Sequence, residues 1–289
     1  VVAGVGLLFS RDNDKSSVSK LVENLPKSAI FNSPTPTPFP FQELTIPYLR
    51  QRKYDSQLGE LQIVSESQNY NSYTTNYNSD GFKISGLLTQ PKDQMPKGGW
   101  PAIVFVHGYI PPPEYETTQN YVSYVDYLAE NGFVVFKIDL RGHGNSEGEP
   151  SGGYYSGDYV IDTLNAYSAL QNADFVDPER IGLWGHSMAG NVIFRSFVAK
   201  KDIPTIVIWS GAGYTYIDLQ EYSIDDTSYR PPLADSEQAK KRQELRETYG
   251  NFDPNSEFWK QVPPTNYLSG VAGAVSLNHA IDDNIVSIE

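Results

Sequence analysis

Cysteine is absent from this 289-residue chain, which excludes disulfides, thiolate chemistry, Cys-based zinc sites and a lipidated N-terminal cysteine. Histidine is scarce: His107, His143, His186 and His279 are the four present, and their spacing is not that of a metal site. HExxH, EF-hand, Walker A and GxGxxG patterns are missing as well, so no metal and no cofactor is expected. Positive charge is in deficit. Lys and Arg number 22 against 35 Asp and Glu, a net charge of −13. That balance argues against a nucleic-acid partner, because a phosphate backbone needs a basic surface, and it favours solubility. No self-similarity with a period of about 20 to 50 residues is visible, which removes propeller and solenoid readings.

The N-terminal run Val1 to Phe9 (VVAGVGLLF) is apolar but short of the roughly 20 residues that cross a bilayer. Residues 1–9 are read as the remnant of a membrane anchor or signal segment. Residues 10–42 are read as a linker, extended and semi-rigid where Ser33-Pro34-Thr35-Pro36-Thr37-Pro38-Phe39-Pro40 concentrates proline. A tether of this kind predicts a domain held outside the cytoplasm at a membrane. Nothing in the composition indicates an oligomeric state.

The remainder, residues 43–289, reads as one α/β domain. From Glu43 to Gln90 the texture is β-like, with a turn at Asn78-Ser79-Asp80-Gly81. This predicts an N-terminal antiparallel β extension. After Pro101, apolar strands alternate with helices. Strands are predicted at Ala102–Val106, Phe133–Ile138, around Ile181, at Thr205–Trp209 and at Ala274–Asn278. Helices are predicted at Tyr121–Asn131, Asp158–Leu170 and Met188–Ala199. Continuous apolar strands joined by helical crossovers predict a mostly parallel sheet with helices on both faces. Residues from about 211 to 268 break the rhythm. They are rich in tyrosine and carry a charged helical stretch at Asp235–Glu247, and they are read as a lid insertion.

The run Ile181-Gly182-Leu183-Trp184-Gly185-His186-Ser187-Met188-Ala189-Gly190 has the layout of a buried strand, a tight turn carrying a serine, and a helix start. Such a turn projects the serine hydroxyl past the carboxyl end of a sheet, and small residues must flank it. Ala189 stands where the G-x-S-x-G pattern has its last glycine. Acyl transfer by a serine requires a base, a residue that orients the base, and donors for the oxyanion. Ser187 is the candidate nucleophile. The backbone N–H of Met188 is one candidate oxyanion donor, and the N–H of Tyr109, in the Val106-His107-Gly108-Tyr109 loop, is the other.

The sequence resembles the α/β-hydrolase superfamily, within it the prolyl-oligopeptidase-like and dienelactone-hydrolase-like serine hydrolases. Four stretches carry the resemblance: His107-Gly108-Tyr109, Asp139-Leu140-Arg141-Gly142-His143-Gly144-Asn145-Ser146, Asp177-Pro178-Glu179-Arg180-Ile181-Gly182, and the serine turn. Together they span roughly Gly81 to Val286. The resemblance implies the α/β-hydrolase fold and a serine hydrolase that cleaves a peptide or ester bond of a small-molecule or peptide substrate. It also implies a chain order of nucleophile, acid, base. Asp282 matches the acid, with Asp283 the competing candidate. All four histidines precede Asp282, so the base is expected beyond Glu289. The chain is then a C-terminally incomplete hydrolase, inactive by itself. A carboxylesterase, or a non-catalytic binding protein on the same fold, is the alternative.

Overall fold

A computed structural model describes residues 38–213 and 236–288. Residues 1–9, most of the 10–42 linker and residues 214–235 of the insertion lie outside the described residues. Among the described residues no helix is long and apolar enough to cross a membrane. The main compact unit begins at Pro40. The Pro40 carbonyl accepts the Tyr249 hydroxyl at 2.8 Å, and the Phe41 ring meets Tyr249 edge-on.

The unit is built on a mixed eight-stranded sheet in the order β1-β2-β3-β5-β4-β6-β7-β8. The strands are β1 (Gln62–Glu66), β2 (Tyr70–Ser79), β3 (Phe82–Pro91), β4 (Trp100–Val106), β5 (Val134–Ile138), β6 (Val176–His186), β7 (Thr205–Trp209) and β8 (Ala274–Asn278). β1, β2, β3 and β5 pair antiparallel. From β5 through β4, β6, β7 and β8 every pairing is parallel. The β2–β3 hairpin turns on Asp80 and Gly81, both at positive φ, and this two-residue turn matches the twist of the strands it joins.

Helices cover both faces. On one face α2 (Val122–Glu130) presses Val125 and Leu128 into a cluster with Leu87, Phe105, Val135 and Trp184. On the other lie α1 (Ile46–Gln51), α3 (Asp158–Gln171) and α4 (Ala189–Ala199), packed into the main core. α1 falls where the sequence reads as β-like. Thr45 caps it, its Oγ1 accepting from the Tyr48 amide, and Pro47 in the first turn suits a helix start. The charged helix α5 (Glu237–Tyr249) is capped by Ser236 and belongs to a separate cluster with Leu44, Phe258, Trp259 and Val262.

α3 is buried on nearly all sides, although its sequence shows an apolar stripe on one face only. Its buried Asp162, Thr163, Asn165 and Ser168 are each bonded. The Asp162 carboxylate takes Arg141 in a forked pair (Arg141 Nη2 to Oδ1 2.6 Å, Nε to Oδ2 3.0 Å), the Arg141 amide at 3.0 Å and the Ser79 hydroxyl at 2.6 Å. Asn165 donates to Ser79, and Ser168 to the Tyr54 carbonyl. Burial raises the Asp162 carboxyl pKa, and the Arg141 bonds oppose that rise. This cluster ties β2, α3 and the loop after β5 together. Replacing one member strands the others without solvent. Asp162→Asn is expected to lower unfolding free energy by about 3 kcal/mol, by the measure of broken buried ion pairs. Urea denaturation checks this, and an unchanged midpoint at unchanged slope would show the pair to be dispensable.

Candidate active site

Five strand-to-loop junctions meet at the carboxyl edge of the parallel strands: His107 after β4, Asp139 after β5, Ser187 after β6, Ser210 after β7 and His279 after β8. Open parallel sheets bind ligands at this edge.

Ser187 lies between the end of β6 and the start of α4 with φ 53, in the left-handed region that a serine seldom occupies. Three bonds hold it there. Its amide donates to the Trp209 carbonyl (3.1 Å), and its carbonyl accepts from the Gly190 (2.8 Å) and Ala212 (3.0 Å) amides. Ala189 is fully buried, so the methyl at that position is accommodated. The close approach falls one residue later. A Cβ on Gly190 would lie 2.8 Å from the Gly211 Cα. Met188 precedes α4, so its amide belongs to the group of helix-start N–H groups that have no partner within the helix. An anion placed there also meets the positive end of the helix dipole. Tyr109 is exposed in the loop after β4.

The two acid candidates separate clearly. Asp282 is exposed. Asp283 is half-buried, and its Oδ1 accepts the Ile285 and Val286 amides, each at 3.0 Å. Burial alone would raise its pKa. The two amides, the Ser210 hydroxyl and the nearby His279 outweigh that and hold the carboxyl below its ordinary value. The charge of Asp283 is also felt by the His186 ring. Of the two neighbouring carboxylates in the Asp-Asp-Asn-Ile-Val turn, it is the second that is bonded to backbone amides, while the first faces solvent.

Among the described residues no histidine bonds to the Ser187 hydroxyl. His107 is fully buried, with Nδ1 2.7 Å from the Gly108 carbonyl and Nε2 3.1 Å from the Asp139 carbonyl. Its ring lies against Tyr115 and His143, at 4.4 and 5.0 Å. His143 is buried, with Nδ1 near the Arg141 carbonyl. His186 turns to Tyr121, 2.8 Å from its hydroxyl. His279 commits Nε2 to the Val286 carbonyl at 2.7 Å.

Behind His107 lies a buried chain of polar groups. Lys137 Nζ donates to the Tyr115 hydroxyl (2.8 Å), which donates to Asp139 Oδ1 (2.8 Å), and Thr117 donates to Oδ2 (2.6 Å). Burial lowers the Lys137 pKa to about 8, against the pull of Asp139. These bonds fix the loops after β4 and β5. Ser210 at φ 41, Tyr121 and Trp209 are site residues that sequence reasoning missed. The usable signal was position, since Ser210 directly follows a parallel strand.

An apolar groove of about 820 Å³ lies on the α2 face of the sheet, lined by Tyr124, Leu128, Trp184, Val207 and Trp209 among others. None of Ser187, Met188, Tyr109 or Asp283 lines it.

Residues 101–223 match the family described as "Serine aminopeptidase, S33". Dipeptidyl peptidase 8 of Mus musculus is 32% identical over 145 residues, 47% of this chain but 16% of that protein. The chain therefore matches only about a sixth of that relative's length. Acetyl xylan esterase 1 from Thermoanaerobacterium superposes with a TM-score of 0.57 at 20% identity, covering 86% of this chain and 81% of that one. Acylaminoacyl peptidase of Pyrococcus horikoshii superposes with a TM-score of 0.55 at 18% identity, covering 77% and 34%. The fold is the α/β-hydrolase fold. The resemblance to serine hydrolases of that superfamily, read from the four motif stretches, is borne out.

The buried His107 carries a pH signature. Burial, then the neighbouring His143, lowers its pKa from 6.5 to about 3. Between those values the unfolded chain binds a proton that the folded chain refuses. Stability is thus fully present above about pH 6.5 and falls as pH drops toward 3, by up to about 1.4 kcal/mol per pH unit from this group. Urea melts of the wild type and His107→Gln across that range test this. An equal acid slope in both would rule out His107 as its source.

Proposed function

We propose that this protein is a serine hydrolase acting through an acyl-enzyme, with Ser187 as nucleophile, Asp283 as the orienting acid, and the Met188 and Tyr109 amides as oxyanion donors. The observation that carries this reading is the left-handed Ser187 at the head of α4, on the same sheet edge as an inward-facing, amide-bonded carboxylate. The general base is none of the four histidines here, since among the described residues none of them bonds to the Ser187 hydroxyl; His279 contacts Asp283 and the Val286 carbonyl instead. We assign it to a histidine outside residues 1–289, held by Asp283.

In this reading Ser187 Oγ attacks the substrate carbonyl carbon while the imidazole takes its proton. Negative charge on the carbonyl oxygen is received by two amide dipoles. The tetrahedral intermediate collapses as the imidazolium protonates the leaving amine or alcohol, and water, deprotonated by the same ring, then releases the acid. The Asp283 carboxylate stabilises the imidazolium without itself taking the proton.

The substrate class proposed first is a peptide, in a prolyl-oligopeptidase-like reaction. Its support is the aminopeptidase family match and the likeness to dipeptidyl peptidase 8. An ester is the second reading, favoured by the overlap with 81% of acetyl xylan esterase 1, against 34% of the acylaminoacyl peptidase. The apolar residues 1–9 and the proline-rich linker support an extracytoplasmic, membrane-tethered placement.

The test uses the full-length protein, a fluorophosphonate probe, and peptide anilides beside p-nitrophenyl esters. Wild type is expected to label and turn over. Ser187→Ala is expected to do neither. Asp283→Asn should lower kcat by about 10³- to 10⁴-fold, the scale seen when a triad carboxylate is lost. Asp282→Asn should stay within about two-fold, as an exposed residue outside the site. A polypeptide of residues 1–289 alone should show almost no turnover. Full activity in Ser187→Ala, or equal losses at both aspartates, overturns the assignment.

A further inference from the structure

The loop that carries the second oxyanion donor and the turn that carries the nucleophile are separate in sequence, and their relative placement needs a cause. Tyr121 supplies one. Its hydroxyl lies 3.0 Å from the Gly108 amide and 2.8 Å from His186 Nδ1. Gly108 immediately precedes Tyr109, and His186 immediately precedes Ser187. One oxygen thus joins the residues adjacent to both functional groups.

One arrangement of protons satisfies both contacts. The Gly108 N–H can only donate, so it occupies a lone pair of the Tyr121 oxygen. The hydroxyl proton is then free to go to His186 Nδ1. In the neutral ring protonated on Nε2, that nitrogen accepts it. Burial lowers the His186 pKa, in keeping with a neutral ring, and burial raises that of Tyr121, in keeping with an intact hydroxyl.

Gly108 is held at its other end too. The 2.7 Å contact to its carbonyl is the shorter of the two His107 contacts, and it takes the single N–H of that neutral ring. In a trans peptide the C=O and the following N–H point in opposite directions. Fixing the Gly108 carbonyl on His107 therefore fixes the direction of the Tyr109 N–H. Only glycine permits the arrangement: a Cβ on residue 108 would lie 2.7 Å from the Tyr121 oxygen and 3.1 Å from His186 Nδ1.

Tyr121 reaches this position at a cost. It precedes α2 at φ 62, in the left-handed region, and makes no side-chain cap to the helix. A tyrosine there carries roughly 1–2 kcal/mol of backbone strain. Its ring contacts Phe105, His186 and Tyr124, centroids 5.6, 5.7 and 6.0 Å away, and a phenylalanine would keep all three. The hydroxyl bridge is what distinguishes tyrosine at this site.

We infer that Tyr121 is a positioning residue for acyl transfer, setting the oxyanion loop against the nucleophile turn through its bonds to Gly108 and His186. The inference rests on the proposed serine-hydrolase reading and adds to it a residue that never touches substrate. Because the donor matters most when charge develops on the carbonyl oxygen, loss of the bridge should act on turnover rather than on binding.

The experiment is steady-state kinetics of full-length protein on a p-nitrophenyl ester, with thermal melting as the folding control. Tyr121→Phe keeps the ring and removes only the hydroxyl. It is expected to lower kcat by about 10- to 100-fold, short of losing a donor outright, with KM within about two-fold and the melting temperature nearly kept. His186→Leu should match it. His186→Gln, whose side-chain oxygen can accept the Tyr121 proton, should recover most of the loss. The double variant Tyr121→Phe/His186→Leu should be no slower than either single one, as for two groups acting as a unit. Wild-type kcat in Tyr121→Phe, a change confined to KM, or additive losses in the double variant overturns the inference and leaves the hydrolase reading standing. A wild type that neither labels with the fluorophosphonate nor turns over removes both.

Discussion

The site depends on one backbone conformation. Ser187 sits in a left-handed well that its side chain disfavours, and it stays there because both of its peptide groups are tied to β7 and to the loop after that strand. The Trp209 carbonyl takes its amide, and Ala212 returns a bond to its carbonyl. The conformation is thus a property of two neighbouring parallel strands and not of the turn alone. It demands that α4 start close to residue 211, which in turn requires Gly190 and Gly211 to meet without side chains. A strained residue persists only where the surroundings over-determine it, and here they do.

Around that turn the loops are fixed largely by buried polar chains, with a few apolar anchors such as Leu140 and Ala212. Arg141 and Asp162 anchor the loop after β5 to α3, and Lys137, Tyr115, Thr117 and Asp139 brace it against the loop after β4. Loops at a sheet edge offer little apolar surface, so directional bonds are the available means of holding them. Such networks rigidify when every member is satisfied and fail together when one is not. His107 belongs to this framework, fully buried with each ring nitrogen facing a backbone carbonyl rather than the Ser187 hydroxyl.

The parallel strands were legible because burial on both faces removes alternation and leaves unbroken apolar runs, as in Ala102–Val106 and Thr205–Trp209. The serine turn was legible because close packing demands small residues at fixed offsets. Other features were closed to sequence reasoning for physical reasons. The all-round burial of α3 rests on partners far away in the chain, such as Ser79 and Arg141, that no periodicity shows. The start of α1 hides in a segment whose neighbours form strands. Asp282 and Asp283 are chemically identical neighbours, and what separates them is which carboxylate meets the amides of Ile285 and Val286. Tyr121 and Ser210 bond through hydroxyls aimed by backbone geometry, which composition does not record.

Trp209 links the nucleophile turn to the optical properties of the protein. Its carbonyl bonds to the Ser187 amide, while its indole is 42% exposed and tilted against Trp184, ring centroids 6.2 Å apart. Of the remaining tryptophans, Trp100 and Trp259 are buried away from this turn. Two facing indoles on neighbouring strands make the molecule its own optical reporter. Near-ultraviolet circular dichroism from this pair follows the packing of β6 against β7, the strands whose ends hold Ser187, with no label attached.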